Sequence, residues 1–149
     1  MRKRSKAREY ALQMLYQMDI RHAQAPQIVE EFWRAHEPTR EIKGFANQLF
    51  SGTAAHLPDI DPMIARHADN WDLKRMAVID RNILRLGAFE LLYAEDAPPK
   101  VCINEAIELA KRFGDAETGK FINGILDAIH KAHVKAGASP SSAPSPETS

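Results

Sequence analysis

The stretch LKRMAVIDRNILRLGAFELLYA, residues 73–94, carries the fold. Met76, Ile79, Ile83 and Leu86 recur at three-and-four spacing and form one stripe, which Leu84, Phe89, Leu91 and Leu92 widen. A helix apolar over so much of its girth must be covered on several sides, so the pattern predicts a central helix from Leu73 to about Ala94, capped by Asp72. Asp80, Arg81, Arg85 and Glu90 interrupt it, and they fit either a solvated face with helix-face pairing or a docking surface.

Outward from this segment the period stays helical, and no β-branched or aromatic residues alternate over a strand's length, so the fold class is all-α. A first helix is expected from about Ser5 to Arg21, with Ala11, Leu12, Leu15, Met18 and Ile20 inward. Pro26 opens a short second helix that His36-Glu37-Pro38 closes, and Thr39 caps a third containing Phe45, Leu49 and Phe50. Gly52 in that third pattern marks close helix packing. Asp61-Pro62 reads as the start of a fourth helix. After Ala97-Pro98-Pro99, Ile103, Ile107 and Ala110 form a face ending at Gly114, which suits a left-handed C-cap. The last helix holds Phe121, Ile122, Ile125, Leu126 and Ile129. Residues 1–136 therefore read as one helical domain. From Gly137 to Ser149 the Pro- and Ser-rich composition predicts a disordered tail.

The 149 residues are 44% hydrophobic and carry a net charge of +0, so nothing in the bulk charge attracts nucleic acid or an anionic membrane. Local asymmetry does: Arg2, Lys3, Arg4, Lys6 and Arg8 all precede the first acid, Glu9. Tyr10 and Tyr16 follow on the same helix, and Lys120-Phe121 pairs a cation with a ring near the other end. Cations on phosphates and rings under unpaired bases are how single-stranded RNA is held. On spacing alone a solvated chain end fits the cluster equally well, and Tyr16 or Phe121 fits a core position. Cys102 is the only cysteine, which suits a reducing cytoplasm and reads as a small core residue. The six histidines lack metal-ligand spacing, no catalytic or phosphate-loop signature is present, and no apolar run is long enough to span a membrane. A non-enzymatic cytoplasmic protein without cofactor or metal is expected.

Three ordered blocks carry a family resemblance. Residues 7–16, AREYALQMLY, closely resemble the opening motif of the NusB family. The segment IDRNILRL, residues 79–86, with Phe89-Glu90-Leu91, is similar to that family's central helix. Residues 99–114, PKVCINEAIELAKRFG, followed by KFINGILD at 120–127, form the most specific block.

The resemblance implies two three-helix subdomains about a shared core, and a role in processive antitermination, notably of ribosomal RNA transcription. The implied partners are the boxA element of nascent RNA, the small-subunit ribosomal protein NusE and the transcription elongation complex. Homodimers occur in parts of the family. Carried over by position, Arg8, Tyr16 and Phe121 look like RNA contacts, with Lys120 and the basic start (Arg2, Lys3, Arg4, Lys6) as phosphate contacts. Asp80, with Arg81 beside it, matches an acidic position that faces the protein partner. Residues 115–119 depart from the family pattern in detail. A similar domain opens some RNA cytosine methyltransferases, but no catalytic region follows in this sequence. The alternative function is a helical protein–protein adaptor that binds no RNA.

Overall fold

The protein is described by a computed structural model covering residues 3–69, 72–94 and 97–137. Arg2 and nearly all of the Pro- and Ser-rich tail lie outside those residues. The described residues form seven α-helices: α1 Lys3–Arg21, α2 Ala25–Phe32, α3 Arg40–Ala55, α4 Leu57–His67, α5 Val78–Leu92, α6 Pro99–Phe113 and α7 Ala116–Lys135. Helix α1 packs on α3 and α5, α6 and α7 pack on α5 and on each other, and α4 lies against α5 and α7. Two groups of three, α1–α3 and α5–α7, thus meet at the α1–α5 contact. Their apolar side chains join in one core running from Ala7 to Ile129.

Helix α5 is central for the reason its sequence gives. Residues 82–84 and 86–91 are all buried, so every side of the helix meets a neighbour. Two glycines make this packing possible. A Cβ at Gly52 of α3 would overlap the Phe89 ring, and one at Gly87 would sit 2.7 Å from a Leu126 methyl. Thr39 caps α3 as expected, its hydroxyl accepting from the Ile42 N–H at 3.3 Å.

Four local expectations are corrected. The central helix starts at Val78 rather than Leu73, because Asp72 caps only a 3-10 turn over Leu73–Arg75. Met76 then turns extended (φ −70°, ψ 150°) and buries its side chain before α5 begins. Helix α4 starts at Leu57, not Asp61: the His56 carbonyl accepts from the Asp59 and Ile60 N–H groups at 3.0 and 2.9 Å, so the chain re-enters helix one residue after α3 ends. Pro58 then occupies the first turn, where a missing N–H costs nothing, and Pro62 is tolerated inside the helix. Gly114 is extended (φ −108°, ψ −151°) rather than left-handed. That position needs the absence of a Cβ, which would stand 3.0 Å from the Ala110 carbonyl and the Thr118 side chain. Ile20 is 49% exposed and lies off the apolar side of α1.

Glycine replacements separate these causes. Gly52→Ala is expected to lower the thermal midpoint, because overpacking costs about 1–3 kcal/mol and exceeds the helix-propensity gain of about 1 kcal/mol. Gly44→Ala, where a Cβ meets nothing, is expected to raise the midpoint. Equal shifts in both variants, read by circular dichroism, would refute the packing role of Gly52.

Candidate nucleic-acid interface

Lys3, Arg4 and Lys6 of the basic start lie in the first turn of α1, and each has a partner. Lys3 Nζ reaches Glu41 Oε1 at 2.8 Å, and the Arg4 guanidinium lies 4.4 Å from the centre of the Phe45 ring, so both lean on α3. Lys6 reaches Glu9 at 3.8 Å and lies 5.0 Å from the Tyr10 ring centre. These pairs at the surface are worth little, about 0–1 kcal/mol, and leave Lys3, Arg4 and Lys6 able to exchange a carboxylate or ring for a phosphate.

Arg8 differs in kind. It is 3% exposed, its Nε and Nη2 each donate to a Glu90 carboxylate oxygen at 2.8 Å, and Nη1 donates to Glu105 at 3.1 Å. Glu105 also accepts from the Ser5 hydroxyl at 2.7 Å, and Glu9, nearly as buried, pairs with Arg112 at 2.8 Å. The guanidinium thus ties α1 to α5 and α6, and Glu90 is an interior ion rather than a surface or docking charge. Neither the charge pattern of α5 nor that of α1 alone reveals this pairing, since the partners are 82 residues apart.

Tyr16 is 37% exposed and lines a groove of about 470 Å³ with Gln13, Gln17, Ile79 and Phe113. Phe113, 38% exposed, was read from sequence only as the end of an apolar face. Next to it, Asp80, Asp115, Glu117, Arg75, Lys120 and Phe121 line a groove of about 540 Å³. The two grooves are neighbours because Ile79 and Asp80 are consecutive, as nearly are Phe113 and Asp115. Lys120 and Phe121 also line a third groove, with Arg66, His67, Asp69 and Gly124. The pair is therefore a ridge with an acidic groove on one side and a basic one on the other. Phe121 is half-buried, packed on the core along one side, while Lys120 is exposed. Arg66, His67 and Arg75 carried no periodic or motif signal; only the packing of α4 and the 3-10 turn against α7 brings them here.

Asp80 and Arg81 part company. Arg81 donates from Nε and Nη2 to the two Asp19 oxygens at 2.7 and 2.8 Å, and Arg85 reaches Asp61 twice at 2.9 Å and Asp19 at 3.0 Å. Burial would raise the Asp19 carboxyl, but hydrogen bonds from Arg81 and Asn82 and the charges of Arg85 and Arg81 hold it below the ordinary value. Arg81 thus joins α1 to α5. Asp80 instead sits at the first turn of α5, where burial lifts its carboxyl above the ordinary value and the Asp115 charge lifts it further. The Thr118 hydroxyl opposes this shift, but it has one proton to give and also reaches Asp115 at 3.0 Å within the capping box of α7.

The fold and this surface define an all-helical scaffold that presents a half-exposed ring between an acidic and a basic groove, with further rings and cations beside it. The sequence pattern of the NusB family matches residues 5–131. Transcription antitermination protein NusB of Thermodesulfovibrio yellowstonii is 44% identical over 142 residues, 89% of this chain and 94% of that protein. The solved structure of T. maritima NusB aligns with a TM-score of 0.78 at 40% identity, over 86% of this chain and 90% of that one. A chain in a structure of antitermination factors NusB and NusE in complex with dsRNA aligns with a TM-score of 0.80 at 31% identity, over 89% of this chain and 98% of that one. The chain belongs to the NusB family.

Two measurements check the site's electrostatics. Arg8→Ala leaves Glu90 charged and buried, so it is expected to cost about 3–5 kcal/mol of folding stability; a loss below about 1 kcal/mol in urea denaturation would mean the pair is solvated. For Asp80 the folded-state value is raised, so its stabilising contribution is complete below the ordinary carboxylate value and is lost as pH rises through the raised one. Asp80→Asn should therefore raise the thermal midpoint at pH 7, with the gain shrinking toward about pH 4. A gain independent of pH would contradict the burial and Asp115 argument.

Proposed function

We propose that this protein is an RNA-binding transcription antitermination factor that engages boxA-type RNA together with NusE, within the transcription elongation complex. The observation that carries the reading is the Lys120-Phe121 ridge, a half-exposed ring and a cation with acids on one side and bases on the other. A base stacks on the half-buried Phe121 ring while Lys120 meets the adjoining phosphate. Tyr16 offers a second ring, and Lys3, Arg4 and Lys6 offer phosphate contacts, with Arg2 ahead of them in the sequence. Arg8 serves this surface by fixing α1 in place, and contacts RNA only if it leaves Glu90. Asp80, with Asp115, faces a basic protein partner, because a carboxylate repels phosphate but accepts charge-assisted hydrogen bonds. Arg81 supports that role from inside, through Asp19.

The relatives named above support this reading. The NusB and NusE complex with dsRNA pairs a relative with both kinds of partner. Binding and no chemistry is the corresponding activity, and the cytoplasm the corresponding compartment; no helix among the described residues is long and apolar enough to cross a membrane.

Phe121→Ala tests the proposal directly. Losing one stacked base costs about 1–3 kcal/mol, whereas deleting a fully buried Phe costs about 3–5 kcal/mol of stability. Labelled boxA RNA, titrated with and without NusE, should bind about tenfold more weakly to the variant, while its urea midpoint moves only modestly. Intact RNA affinity with a large loss of stability would assign the ring to the core and favour the adaptor reading.

A further inference from the structure

The groove on the basic side of the ridge has no role in the site so far. It runs between the C-terminal end of α4 and the middle of α7, holds about 670 Å³, and is lined by Arg66, His67, Asp69, Lys120, Phe121 and Gly124 among others. We infer that this groove is a second segment of the RNA site, holding the nucleotide that follows the base on Phe121. This rests on the RNA-binding reading above.

Three observations converge. The first is charge. Arg66 and Lys120 come from different helices, both are exposed, and neither forms an ion pair with any described residue. Asp69 is the one acid among the described lining residues. On the other side three acids, Asp80, Asp115 and Glu117, outnumber the one further cation, Arg75, so phosphate charge directs a strand leaving Phe121 toward Arg66. The second is shape. Gly124 lies inside α7, is exposed, and a Cβ there would meet nothing within 4 Å. Glycine in a helix interior costs about 1 kcal/mol relative to alanine, and at Gly52 and Gly87 a packed neighbour explains it. At Gly124, as at Gly44, no neighbour does; of the two only Gly124 lines a groove, where the bare backbone permits close approach by a ligand. The third is hydrogen bonding. His67 Nδ1 lies 2.9 Å from the Met63 carbonyl, which can only accept, so Nδ1 donates there, and in the neutral ring Nε2 is left as an acceptor on a residue that lines the groove. A wall with an acceptor and a cation suits a ribose hydroxyl and its phosphate.

The test uses the full chain and two labelled single-stranded boxA RNAs, a short one and one extended by a few nucleotides at each end. A Cβ at Gly124 meets nothing, so Gly124→Leu projects its side chain into the groove with better helix propensity, and thermal denaturation verifies that folding is preserved. Arg66→Ala, at an exposed position, provides an independent route. Wild type should bind the longer RNA more tightly. Gly124→Leu should abolish that advantage, weakening the longer RNA about fivefold or more and leaving the short RNA unchanged. Arg66→Ala should flatten the log K against log salt slope for the longer RNA by about 0.7. If both variants bind the longer RNA as wild type does while Phe121→Ala loses it, the groove is empty in the complex and the inference is overturned with the RNA reading intact. If Phe121→Ala also binds both RNAs normally, the RNA reading falls and takes this inference with it.

Discussion

A single guanidinium, that of Arg8, sits where the two halves of the bundle meet. Taking a charge out of water costs several kcal/mol, and only good geometry repays it. Here the geometry is good: two bonds of 2.8 Å to Glu90 and one of 3.1 Å to Glu105. The constraint this imposes is one of register. An apolar contact between α1 and α5 tolerates a slide of some tenths of an ångström, but a forked donor on a carboxylate does not. Tyr16 lies two turns farther along α1, and Ile79 about three turns back along α5. Their separation across the Tyr16 groove is therefore set by the Arg8–Glu90 pair at one end and by Arg81 on Asp19 at the other.

Charge is the second organising feature. A net charge of zero gives the molecule no overall field to bring nucleic acid to it. What it has instead is uneven placement: Asp80, Asp115 and Glu117 outnumber Arg75 on one side of the Lys120-Phe121 ridge, while Arg66 faces the single acid Asp69 on the other. The acidic side is held at some cost, since burial and like charge both disfavour ionised Asp80.

The legibility of the sequence follows the range of the interactions involved. Helices, the apolar stripe of α5, the Thr39 cap and the tight spot at Gly52 were readable because they depend on spacing within one element. Boundaries failed where two local signals competed. Asp72 and Asp61-Pro62 are both genuine start signals, but the first spends itself on a 3-10 turn before Met76, and the second is overridden by His56 and Pro58 four residues earlier. The ring and cation at positions 120 and 121 were found, because they are adjacent in sequence. The partners of Arg8 and Arg81 were not, being 82 and 62 residues away, nor were Arg66 and Arg75, which reach Phe121 only through the packing of α4 and the turn before α5. Helix geometry explains why Asp80 and Arg81, consecutive and read as one docking pair, meet different neighbours: successive residues on a helix point about 100° apart.

The ridge has one further consequence for how two partners act together. Phe121 and Lys120 belong to both grooves, so whatever fills the acidic groove touches the same ring and the same ammonium that the basic groove presents. On the proposed function, a protein docked on Asp80 and Asp115 removes water from one side of Lys120 and restricts the Lys120 and Phe121 side chains. A base stacking on that ring then finds less side-chain freedom left to lose, and each fixed rotamer-rich side chain is worth about 0.5–1.5 kcal/mol. Coupling of this kind is reciprocal, so RNA held on the ridge strengthens the protein contact by the same factor. No change of backbone is needed. On the proposed function, joint engagement of RNA and protein follows from placing one aromatic ring on the border between two surfaces of differing charge.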